Sequence, residues 1–267
     1  MPFITRRRLR IFGWILTIPL LLFGVIVLLA YTQQDRIVQE LITKANADFQ
    51  GKIVLRDSHI SPFANFPYIS IDLEDLELFE SKADTAAVVF NAADLYIGID
   101  LFTLMAGDFQ IKAIKIKDGQ LSLVQHVDES FNLTNALAPT HPIEDTGEEF
   151  HLDLKRISIE NLAVTKRNEA TLELFDVAIA SAVTRFKSNE AGYDVGLDTY
   201  FTLTVIEGED TTFIKNKHFD ISTDFTFDNS TQKVDFAPSK VALENAVFNM
   251  EGSIDLDDDA NLHLKFD

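Results

Sequence analysis

From Lys52 to the end of the chain, apolar side chains recur at every second residue, and this period commits most of the polypeptide to β-strands. Ile53 and Leu55 alternate. After a loop with Pro62 and Pro67, Ile69, Ile71 and Leu73 point one way while Ser70, Asp72 and Glu74 point the other. Beyond Glu74-Asp75 the parity flips and continues through Leu76 and Leu78, which is what a β-bulge or strand break produces. The same grammar returns twice. Phe109, Ile111 and Ala113 shift to Ile114 and Ile116, and Gly119 leads into Leu121 and Leu123; Leu152 and Leu154 shift to Ile157 and Ile159, then Leu162 and Val164. The stretches IKAIKIKDGQLSL and LKRISIENLAV read as two copies of one unit, with a fainter third in VALENAVFNMEG at 241–252, a weak repeat because its spacing is uneven.

Further strands are expected at Leu172 and Leu174, Val177 and Ile179, Val195 and Leu197, and at Phe201 with Leu203 and Val205. Others follow at Phe219 with Ile221, Phe225 with Phe227, and Val234 with Phe236. Turns at Asn189–Gly192, Glu207–Asp210 and Asp228–Ser230 separate them at hairpin intervals. Leu262, Leu264 and Phe266 still alternate at Asp267, an unfinished strand that predicts a piece of a longer protein.

Three helices punctuate this pattern. Residues 33–49 carry Val38, Leu41, Ile42, Ala45 and Phe49 at helical spacing before Gly51; the stripe suits a helix covering one end of a sheet or lying in a membrane interface, its weak positive charge arguing against the latter. Asp100 to Ala106 has an acidic N-cap and closes at Gly107, and Phe131 to Leu137 ends before Pro139. The polar run 139–149, with Pro142 and Gly147, reads as a loop between a first β region within 32–138 and a second over 150–267.

At the N-terminus, residues 11–31 form an uncharged run of about 21 residues, long enough to cross the roughly 30 Å hydrocarbon layer as a helix. Arg6, Arg7, Arg8 and Arg10 precede it, so the short segment 1–10 is expected in the cytoplasm and the bulk of the chain on the far side. A cleaved signal peptide is the competing reading. Against it stand the length of the run and the lack of a small residue at −3 in Leu28-Leu29-Ala30. A buried soluble helix is the other, and the arginine cluster before so long a run speaks against that.

Four of the 23 basic residues precede the span, leaving 19 against 42 acidic ones. So acidic a remainder repels nucleic acid and gains nothing from an anionic surface. There are no cysteines, which excludes disulfides and thiolate metal sites. The 22 Phe against 5 Tyr and 1 Trp point to a large apolar interior or trough.

Catalytic signals are absent from the sequence. The histidines at 59, 126, 141, 151, 218 and 263 show no metal-binding spacing and read as surface or strand-face residues. Asp255, Asp257, Asp258 and Asp259 invite a calcium loop, but Ala260 and Phe266 stand where that loop needs Gly and Glu, so they read as a solvated turn. No G-x-S-x-G elbow or phosphate-binding Gly-rich loop occurs, and the chain is expected not to be an enzyme and to use no cofactor. The alternation itself remains. An amphipathic sheet hides its apolar face under helices, in a sandwich, or around something greasy.

The order of these features resembles the opening of the AsmA family of bacterial envelope proteins: a basic N-terminus, one membrane helix, an amphipathic helix ending in Phe49-Gln-Gly51-Lys, then IVLRDSHISPFANFPYISIDLEDLELFE. Ile71-Asp-Leu73-Glu-Asp75-Leu-Glu-Leu78 is similar to that family's (L/I)xLxDLxL strand. ADLYIGIDLFTLMAGDFQIKAIKIKDGQLSLVQHVDESFNLTNAL is similar to its next block, with Leu133 where the family often has Trp. The likeness covers residues 1–138 well and 150–267 only as generic strands.

The resemblance implies an inner-membrane anchor and an elongated, curved antiparallel β groove of the chorein/AsmA kind in the periplasm. It would carry phospholipid between inner and outer membranes and serve outer-membrane biogenesis, its apolar side including Ile69, Ile71, Leu73, Ile111, Ile114, Ile116, Ile157 and Ile159. The alternative is a non-transporting envelope scaffold that acts on outer-membrane protein insertion through protein partners, its apolar face being simply core.

Overall fold

A computed structural model describes residues 38–39, 42–65, 67–100, 103, 110–140, 152–188, 192–208, 210–212, 214–256 and 261–267. The expected membrane span at 11–31, the arginines 6, 7, 8 and 10, most of the helix expected from Asp100, nearly all of the 139–149 loop and Asp257 to Asp259 lie outside these residues. Among the described residues no helix is long and apolar enough to cross a membrane.

The period-two stretches form one long, open, curved sheet. Its strands are β1 (Lys52–Val54), β2 (Asp57–Asn65), β3 (Tyr68–Phe79), β4 (Val88–Ile99), β5 (Ile111–Gln125), β6 (Leu152–Asn168) and β7 (Leu174–Ser188). Beyond these come β8 (Gly192–Glu207), β9 (Asp210–Thr211), β10 (Lys217–Asp228), β11 (Lys233–Leu243), β12 (Ala246–Asp255) and β13 (Asn261–Phe266). From β3 onward the order across the sheet follows the chain, with β1 and β2 both on the outer side of β3 and the short β9 beside β8. Sequential neighbours joined by short turns explain this meander. The sheet runs straight across the expected boundary at 139–149, because β5 pairs with β6.

That junction departs from the expected all-antiparallel sheet, for β5 and β6 run parallel. Parallel neighbours need a long connection, and residues 126–151 supply it. Part of that connection is the short helix α2 (Asn132–Leu137), held by the buried Asn132, whose Oδ1 accepts from Val124 N at 2.9 Å while its Nδ2 donates to Ser122 O at 2.7 Å.

The parallel pairing explains the internal repeat. Ile114 faces Ile157, Ile116 faces Ile159, and Leu121 faces Val164, so the two similar stretches lie side by side in register. The fainter third copy is a different object: Glu244 and Asn245 form the tight turn between β11 and β12. Leu172, expected in a strand, sits in the turn before β7 at φ 59° and is 61% exposed.

The parity flips arise at two levels: register shifts beside Ile111 and Ala113 account for those at Ala113 and after Leu154, and a row of left-handed residues accounts for the one at Asp75 and for two more further along β5 and β6. Asp75, Asp118 and Asn161 adopt left-handed backbone at φ 47°, 51° and 58°, a conformation Asp and Asn tolerate better than most residues. The register places all three at one level across β3, β5 and β6, where Asn161 Nδ2 donates to Asp118 Oδ1 at 2.6 Å. Each reverses the side-chain alternation, so Leu73 and Leu76, or Ile116 and Leu121, stay on one face. Gly119, the residue after Asp118, is a glycine because there is no room for a side chain: a Cβ would lie 2.8 Å from the Asn91 carbonyl oxygen and 3.0 Å from Leu162 Cδ1. Gly119→Val should therefore destabilise the fold by about 1–3 kcal/mol, read as a lowered urea midpoint with unchanged slope. A midpoint equal to wild type would show that β4 and β5 are not closely apposed there.

The described helical residues 38–39 and 42–48 form α1, within the expected 33–49 helix. Its Val38 is buried against Ile71, Leu73, Leu76 and Ile99, with Ile42, Ile53, Leu55, Phe90, Leu95 and Ile97 around them. Thus α1 covers one end of the sheet. Asn46 ties it down by exchanging two hydrogen bonds with the backbone of Ile53, at 2.6 and 2.9 Å. The helix ends at Asp48, and the glycine expected as its stop, Gly51, follows in the turn toward β1, where a Cβ would meet the Phe79 carbonyl oxygen at 2.7 Å.

Candidate functional site

Following partners from strand to strand gives continuous apolar rows. One runs Leu73, Leu95, Ile116, Ile159, Ala182, Thr199, Ile221, Val241, Phe248, and is interrupted only by Thr199. On the far side of the left-handed residues the next row runs Leu76, Ala92, Gly119, Leu162, Ile179, Phe201, Phe219, Leu243, Ala246. A cross-strand pair shares a face, so both rows belong to one surface crossing nine strands.

Burial along this surface changes from one end to the other. At β3 and β4, beneath α1, its residues are core. From β5 onward most are only half-buried, by one another, and at the far end Phe248, Phe266 and Leu262 are 37%, 53% and 57% exposed. Among the described residues, α1 is the helix packed on this face. Phe rings interlock on the open part: Phe201 stacks on Phe219 with centroids 5.0 Å apart, and Phe225 meets Phe236 at 5.4 Å.

The opposite face is charged and hydroxylated. On β8 and β10 it presents Asp194, Asp198, Tyr200, Asp220, Ser222 and Asp224. Ion pairs bind its strands laterally, Lys115 to Glu160 at 2.8 Å, Lys117 to Asp94 at 3.7 Å, and Arg185 to Asp198. Such exposed pairs stabilise little individually; their effect is to keep this side wet.

The eight residues expected to contact an apolar ligand divide into two groups. Ile69, Ile71, Leu73 and Ile111 are buried, with Ile71 and Leu73 in the core under α1. Ile114, Ile116, Ile157 and Ile159 are half-buried among the described residues and continue the same rows outside the cluster under α1. The register adds Phe201, Phe219, Phe225 and Phe236, each of which had been visible in the sequence as a strand residue but not as part of the same surface. What this surface can do chemically is adsorb apolar groups, since its rows hold no titratable side chain.

Histidines expected to be scattered turn out to meet carboxylates. His126 lies between Glu80 at 2.9 Å and Glu169 at 3.2 Å, and hydrogen bonding to these two raises its pKa. His59 on β2 meets Asp72 and Glu74 of β3 on the polar face. Spacing along the chain hid this trio, because an antiparallel hairpin brings it together. By sequence the chain matches no protein-family model and no curated protein.

Proposed function

We propose that the open apolar face is a lipid-carrying surface, and that the protein is an AsmA-like, inner-membrane-anchored periplasmic component of phospholipid traffic between the two membranes. The observation that carries this reading is the continuity of the apolar rows beyond the cluster packed under α1, backed by a face that is predominantly charged and hydroxylated. A core needs a cover of matching size, whereas acyl chains are a cover that comes and goes. Each methylene laid on such a surface contributes about 0.8 kcal/mol, so affinity is spread over many contacts and needs no single decisive residue. The basic cluster before the apolar run 11–31 supports the orientation.

The test is lipid extraction and native mass spectrometry on the full chain purified in a mild detergent from bacteria. Phospholipid should co-purify in a fixed ratio. The double variant Ile116→Asp, Ile159→Asp should lose at least ~10-fold of it while keeping the wild-type circular dichroism, since two charges cost more than the chain contacts they replace. Wild-type protein that is folded and lipid-free would instead assign this face to a protein partner and favour the scaffold reading.

A further inference from the structure

On the polar face, β2 and β3 bring three ligand-type groups together. His59 Nε2 lies 3.3 Å from Asp72 Oδ2 and His59 Nδ1 lies 2.9 Å from Glu74 Oε1. One donor atom from each of the three falls within 4.8 Å of the others. The register makes the trio, because His59 pairs with Asp72 while Glu74, two residues on, shares its face.

Two independent observations point to a ligand. Asp72 is 2% exposed, and its Oδ1 is buried without a hydrogen-bond partner. A buried carboxylate oxygen without a donor is costly, and a bound cation would satisfy it. The second is charge: Asp57, Asp72, Glu74, Asp75 and Asp94 converge here, while the permanent cations paired with them are Arg56, on Glu74 and Asp75, and Lys117, on Asp94.

We propose that His59, Asp72 and Glu74 form a binding site for a divalent transition-metal cation, with Zn²⁺ as the closest chemical match. One imidazole and two carboxylates are a borderline donor set suited to Zn²⁺, whereas Ca²⁺ and Mg²⁺ call for oxygen ligands throughout. Tyr96 of β4 pairs with Asp72 on the side away from His59, the place that an outer partner of a metal ligand takes. The half-exposed His59 forms the entrance. The cation would clip the edge strand β2 to β3, a staple for a chain that has no cysteines.

The experiment is isothermal titration of Zn²⁺ into the chelator-washed full chain, purified without a histidine tag, alongside His59→Gln, Asp72→Asn and the distant polar-face variant Asp224→Asn. One Zn²⁺ should bind per chain and raise the thermal midpoint. His59→Gln and Asp72→Asn should each weaken binding at least ~10-fold, and Asp224→Asn should leave it unchanged. Absence of saturable binding to the folded wild-type chain overturns the site, as does equal binding by all four proteins.

Discussion

Ile71→Asp should unfold the covered end of the sheet, whereas Ile116→Asp should leave the protein folded. The two isoleucines stand in neighbouring rows of one apolar face and look equivalent in sequence. Ile71 is 9% exposed and belongs to the cluster closed by Val38 of α1. A carboxylate there is desolvated with no cation beside it, and the contacts with Val38, Leu73 and Ile99 are lost, so the expected cost is about 4 kcal/mol or more. That is a large part of the stability of a typical domain. Ile116 is half-buried on the part of the face that α1 does not reach. An Asp there can turn toward water, and the expected cost is about 1 kcal/mol. Urea denaturation of the two variants checks this directly. Equal losses would mean that both positions lie in one closed core, and the lipid-carrying reading would fall with that result.

Asp72→Asn should make the protein more stable at alkaline pH. Burial, and next the charge of Asp94, push the Asp72 carboxyl up to about 6 from 3.8; Glu74 adds to this, while His59 and the hydrogen bond from Tyr96 oppose it. A raised carboxylate pKa means that the folded state holds a proton the unfolded chain has released. Below pH 3.8 both states are protonated and the position costs nothing. Between pH 3.8 and about 6 the penalty grows, and above that range it is fully present. Two pH units correspond to about 3 kcal/mol as an upper bound. In chelator at pH 8, Asp72→Asn should therefore gain up to about 3 kcal/mol, with the gain vanishing toward pH 3.5. A loss of stability at pH 8, or a gain independent of pH, would contradict this account.

Much of this architecture was legible in the sequence. The two-residue period from Ile53 to Phe266 is enough for a sheet with one apolar face, because strand geometry sends alternate side chains to opposite sides. The parity flip at Glu74-Asp75 was legible too, whereas the left-handed Asp118 and Asn161 were not, because the shifts visible in their strands fall earlier, at Ala113 and after Leu154. Even the likeness of 111–123 to 154–164 was visible. Alternation along a chain, however, says nothing about which strand lies beside which.

Tertiary structure alone decided the rest. Pairing aligned the three left-handed residues into one row and set the two similar stretches parallel, which no local pattern specifies. Docking of α1 placed Ile71 and Leu73 in a closed core while the equivalent-looking Ile114, Ile116, Ile157 and Ile159 stayed half-buried, because burial depends on what lies above a face. The hairpin of β2 and β3 joined His59 to Asp72 and Glu74, more than a dozen residues away along the chain. The sequence determined which faces exist; long-range contact determined which of them are covered and which groups meet, since covering a face and joining distant groups both require segments remote in sequence to come together in space.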